Sequence, residues 1–173
     1  HSGQPLRLLQ DWVCSAKPGT GEAVRRRTIL AEETVRWADS SDGDITIALR
    51  SLAISLSPNW KAHEPKPGDG MTYVIMFGGL PADELRTIAK LWGSVRQIIG
   101  AHEVSDWSPV IEIVHDWALP GGHGPFPDDG SYAVLDSEAR RMLVDAAEMC
   151  EGHPGALRQL KVVSQKRNID ISI

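Results

Sequence analysis

Apolar residues recur along most of this chain at spacings of three and four, the period of a helix with one face turned to a core. Leu6, Leu9 and Val13 predict a first helix. It opens at Pro5, whose fixed φ and missing N–H suit a first helical position, and closes before Lys17-Pro18-Gly19. Thr20 is placed to cap a second helix running to Ala38, with Val24, Leu30 or Ala31, Thr34 or Val35, and Ala38 inward. A third follows the Ser40-Ser41-Asp42-Gly43-Asp44 loop, is striped by Ile45, Ala48, Leu49, Leu52 and Leu56, and stops at Ser57-Pro58. Pro81 opens a long fourth helix, with Asp83 and Glu84 in its first turn and Leu85, Ile88, Ala89, Leu91, Trp92, Val95, Ile98 and Ile99 down its face to Gly100. A fifth spans about 106–119, with Trp107, Val110, Ile111, Val114 and Trp117 or Ala118 as its stripe; a sixth, about 136–151, carries Ala139, Met142, Leu143, Ala146, Ala147 and Cys150. Pro154 opens a seventh, with Leu157, Leu160 and Val163, to about Asn168.

The helical period breaks in two internal places. Trp60 to Pro65 and Met71 to Phe77 read as two strands around Lys66-Pro67-Gly68-Asp69-Gly70, a β-hairpin over 60–77 that must pack on the helices because an isolated hairpin is barely stable. Residues 120–130 form a proline- and glycine-rich loop. The expected fold is mainly α: about seven helices in helical-hairpin or solenoid-like packing, with that one hairpin. His1-Ser2-Gly3 reads as a tag remnant, and 4–173 as a single helical domain excised from a longer protein. At the end, Leu157, Leu160 and Val163 form an apolar stripe and Ile169-Asp170-Ile171-Ser172-Ile173 alternates apolar with polar. An internal repeat left uncapped shows such a stripe to water, so weak dimers through the terminal helices are expected, weakened by Leu160→Glu or Ile171→Asp unless those residues are core.

Composition narrows the function. The 173 residues are 42% hydrophobic and 24% charged, enough for a packed core without metal or disulfides. Eighteen Lys and Arg against 23 Asp and Glu give a net charge of −5, which disfavours nucleic acid and anionic membranes as partners. Arg25, Arg26 and Arg27 read as a solvated cationic face, paired with Glu32 or Glu33, and the last helix carries Arg158, Lys161, Lys166 and Arg167. No run of about 18 apolar residues marks a membrane span. Cys14 and Cys150 share no metal-ligand or disulfide spacing, which fits a reducing, cytoplasmic compartment.

Nucleotide, zinc and acyl-enzyme motifs are missing, so no catalytic residue, cofactor or metal is expected. Gly121-Gly122-His123-Gly124 lacks the strand, lysine and Ser/Thr of a phosphate cradle. The alternative is a small hydrolase or nuclease using His63, Glu64, His115 and His123, which requires those side chains to converge in a cleft. His63 and Glu64 are neighbours in a strand and point to opposite faces. Six tryptophans, at 12, 37, 60, 92, 107 and 117, serve mostly helix packing. A possible interaction surface comprises Trp60, Tyr73, Phe77, Trp107, Trp117, Leu157 and Leu160.

Six stretches carry a resemblance: Leu56-Ser57-Pro58-Asn59-Trp60, Pro67-Gly68-Asp69-Gly70, Gly79-Leu80-Pro81-Ala82-Asp83-Glu84-Leu85, Ala89-Lys90-Leu91-Trp92, Val114-His115-Asp116-Trp117-Ala118, and His153-Pro154-Gly155-Ala156-Leu157-Arg158-Gln159-Leu160. Together, over roughly 50–173, they resemble a helical segment of large bacterial, especially actinobacterial, proteins that carry a STAND-type P-loop ATPase elsewhere. The resemblance implies a HEAT-like or similar α-solenoid that senses or scaffolds, with no ATP-binding residue in this chain. The expected function is therefore a non-enzymatic regulatory, sensor or scaffold module that contacts protein partners.

Overall fold

The structure, a computed structural model, describes residues 4–17, 20–61, 77–119 and 129–171. Among these residues the chain forms eight helices, α1 (Gln4–Cys14), α2 (Gly21–Ala38), α3 (Ile45–Ser55), α4 (Ala82–Ala89), α5 (Trp92–Ala101), α6 (Ser108–Ala118), α7 (Ser131–Met149) and α8 (Pro154–Lys166). Two three-residue strands, β1 (Asn59–Lys61) and β2 (Phe77–Gly79), pair antiparallel with Asn59 opposite Gly79 and Lys61 opposite Phe77. The hairpin expected over 60–77 is not seen. What is described is this short ladder, reaching out to 59 and 79, and residues 62–76 lie outside the described residues.

Local chemistry accounts for several helix boundaries. The Thr20 hydroxyl accepts the Ala23 N–H at 3.2 Å and the Asp44 carboxylate that of Ile47 at 3.0 Å, so each satisfies an orphan donor at a helix start. The expected long fourth helix is instead two. At Lys90 and Leu91 the bonds tighten to i→i+3, from Leu91 N to Ile88 O, Gly93 N to Lys90 O and Ser94 N to Leu91 O. Gly93, a poor helix former, follows the break at once. The sixth helix of the sequence reading starts five residues earlier than expected, at Ser131, behind Gly130, whose φ of +84° is left-handed and suits glycine.

The helices pack in two layers. One layer holds α2, then the α4–α5 pair, then α7; the other holds α3, α6 and α8, with α1 closing the end against α2 and α3. Pairings of α2 with α3, α6 with α7, and α7 with α8 join the layers. A continuous core runs between them, from Ala31, Leu49 and Leu52 through Leu85, Trp92 and Trp117 to Leu143 and Leu160. The apolar stripe of the last helix belongs to this core. Leu160, Val163, Ile169 and Ile171 are buried and Leu157 is half-buried. The terminal stripe expected at the surface is therefore covered by the chain itself.

Candidate functional site

Several polar side chains join elements of the fold. The expected solvated Arg25–Arg27 face splits in two. Arg25 and Arg26 both bind Glu22, not Glu32 or Glu33, and lie over the Trp12 ring with Cζ 5.6 and 4.9 Å from its centroid. Their hydrogen bonds hold the Glu22 carboxyl down at about 2. Arg27 is buried instead, because steps of four, three, one and three residues align it with Ala23, Leu30, Ala31 and Thr34. Its Nη1 donates to the carbonyls of Ile54, Ser55 and Ser57, at 3.3, 3.0 and 2.7 Å. Burial pulls its pKa below the ordinary arginine value, an effect opposed by the Glu84 carboxylate. The Trp117 indole donates to Leu56 O at 2.7 Å, so this cation and this indole cover the C-terminal carbonyls of α3, where positive charge is favoured.

Two further carboxylates work the same way. Asp129 accepts the Ala82 N–H and the Ser131 N–H, both at 3.0 Å, and thereby caps α4 and α7 together. These bonds, that from Ala82 foremost, hold its pKa below the ordinary value. Asp145 on α7 accepts the Trp92 indole N–H at 2.8 Å and pairs with Arg96 on α5.

The histidines do not assemble among the described residues. His115 lies half-exposed with Nδ1 3.9 Å from Asp116, whose carboxyl is raised by burial and by nearby Glu112. His102 Nε2 meets Asp39 at 2.7 Å, and the His153 ring sits 5.1 Å from that of Trp107. His63, Glu64 and His123, the remaining members of the hydrolase alternative, lie outside the described residues, as does Gly121–Gly124. Among the described residues no three His, Cys, Asp or Glu group to hold a metal, and no helix is long and apolar enough to cross a membrane.

The expected interaction surface does not hold as a set. Trp117 and Leu160 are fully buried, because the stripes that carry them face the inter-layer core. Tyr73 lies outside the described residues; Trp60 and Phe77 are described only as backbone in the short ladder. Trp107 is half-buried, with its indole N–H enclosed and unpartnered among the described residues. Leu157 alone lines an open groove.

That groove, of about 480 Å³, runs between α7, the start of α8 and the segment after α8. Its lining is Val144, Ala147, Glu148 and Glu151 from α7, Leu157 from α8, and Asp170 with Ile171. A Schellman turn builds its third wall. Asn168 is left-handed at φ +55°, Ile169 N donates to Ser164 O at 2.9 Å and Asn168 N to Gln165 O at 3.2 Å. The chain thereby doubles back and tucks Ile169 and Ile171 inward while Asp170 stays exposed. Val144 is 47% exposed on the floor, and Glu148, Glu151 and Asp170 stand exposed on the rim. An apolar floor with an acidic rim is complementary in character to apolar and basic side chains. Sequence reasoning missed it, although Val144 among the polar positions of the sixth predicted helix was a visible signal. No family model, curated protein or solved structure matches the chain.

Proposed function

We propose that the chain is a non-enzymatic scaffold or regulatory module that acts through protein contacts, with the α7–α8 groove as its contact surface. The observation that carries this reading is the groove itself: exposed Val144 and half-buried Leu157 beside three exposed carboxylates for which no ion pair is found among the described residues. The commitment of Arg27, Asp129 and Asp145 to helix ends and helix pairs supports it further, because their hydrogen bonds are spent on architecture. The two-layer order of helices supports a short solenoid-like, HEAT-like stack. The resemblance of 50–173 to helical segments of STAND-type proteins is the ground for proposing that the module sits beside a signalling ATPase in a larger bacterial protein. An exposed free thiol at Cys14 supports a reducing, cytoplasmic setting.

The test is a photo-crosslinking residue in place of Val144, compared with one in place of exposed Arg36 on α2, in cells producing the protein. A discrete protein adduct is expected from position 144 and not from 36. No adduct at 144, or ester or phosphodiester turnover lost in His63→Ala, His115→Ala or His123→Ala, favours the hydrolase alternative and overturns the reading.

A further inference from the structure

The outer face of α8 offers what the groove lacks. Arg158, Lys161, Val162, Gln165 and Lys166 are all exposed and fall within less than half a turn of the helix. Val162 is 50% exposed, with Arg158 and Lys166 one turn to either side. None of the three cations has an ion pair among the described residues; the neighbouring Arg167 is turned away to Asp136 on α7. One apolar side chain between cations matches an apolar floor between carboxylates.

The two surfaces also adjoin. Leu157 forms part of the groove wall, and Arg158 next to it opens the basic face. A patch that contains both halves of a complementary pair can meet its own copy about a two-fold axis, each copy then presenting its basic helix to the other's groove. We propose that the groove is occupied by α8 of a second copy of this chain, the two copies pairing through Val144, Glu148 and Glu151 of one and Arg158, Val162 and Lys166 of the other. This rests on the reading of the groove as a contact surface and names its occupant. The contact differs from a dimer through Leu160, which is a core residue and unavailable.

Sedimentation velocity over a hundredfold range of concentration tests it, with folding of each variant checked by circular dichroism. A monomer–dimer equilibrium is expected at low salt. It should weaken about tenfold or more near 1 M salt, where charge fields decay within about 3 Å. Glu148→Lys with Glu151→Lys should lower the association constant about tenfold, and so should Arg158→Glu with Lys166→Glu. Because these side chains are exposed, the four changes combined in one chain should restore pairing with the charges exchanged. A monomer at all concentrations, or a dimer indifferent to salt and to both reversals, overturns the proposal. A monomer that still crosslinks to another protein from position 144 overturns the second copy alone. Absence of any adduct there overturns the contact surface as well.

Discussion

Three arginines in succession, at 25, 26 and 27, part into a pair on Glu22 and Trp12 and one buried cation, and the difference follows from helical angle. Arg27 falls on the stripe of Ala23, Leu30 and Ala31, so the same periodicity that predicts α2 also predicts its burial, once charge is not taken as proof of exposure. What was not legible is its partner, because the carbonyls it binds lie 27 to 30 residues away at the end of α3. Arg27→Ala leaves those acceptors buried without a donor and should lower stability by about 3 kcal/mol. Arg27→Lys should recover only part, because an ammonium lacks the guanidinium fork. A urea midpoint shift worth less than about 1 kcal/mol at constant slope would argue against this role. Asp129 gives a pH signature. Its folded pKa lies below the ordinary 3.8, so its stabilising effect is present above that value and is lost as pH falls through the folded value. Asp129→Asn should therefore melt earlier than wild type at neutral pH, and the two melting temperatures should converge in strong acid; a constant gap would contradict the assignment.

The starts of α2 and α3 have local chemistry, since Thr20 and Asp44 each bond the amide three residues on, whereas α4 is capped by Asp129 from 47 residues away. Helix ends depended on neighbours. The break at Lys90 interrupts a stripe that stays helical in period across it, since Ile88, Trp92 and Val95 are all buried. Period reports the face, and tight turns that conserve the face leave no mark on it. The groove wall was partly legible, since the alternation at 169–171 matches its burial, but Asn168 as the left-handed residue of a Schellman turn was not recognised. Two glycines separate tight packing from loose. A Cβ on Gly43 would sit 2.6 Å from the carbonyl oxygens of both Trp37 and Ala38, backbone atoms that cannot swing aside. A Cβ on Gly93 meets nothing within 4 Å. Gly43→Ala should cost about 2 kcal/mol, and Gly93→Ala should stabilise by about 0.5 kcal/mol through the unfolded chain. Equal thermal shifts for the two would show that the close approach is unimportant.

At the scale of the molecule, the bonds that hold the layers together differ in how far they reach along the chain. Arg27 binds the end of α3 within 30 residues, whereas the Trp117 indole reaches back 61 residues to Leu56 and Asp145 spans 53 to Trp92. Closing a longer loop costs more chain entropy before any contact rewards it. The α1–α3 unit is then expected to form early on the folding route, with the Trp117 indole docking onto the end of α3 after the barrier is crossed. In stopped-flow kinetics Trp117→Phe should leave the refolding rate nearly unchanged and raise the unfolding rate about tenfold, matching a loss of roughly 1.4 kcal/mol, while Arg27→Ala slows refolding. On this expectation, the hydrogen bond that caps α3 from across the molecule governs how long the folded chain lasts, and the arginine beside it how quickly the chain folds.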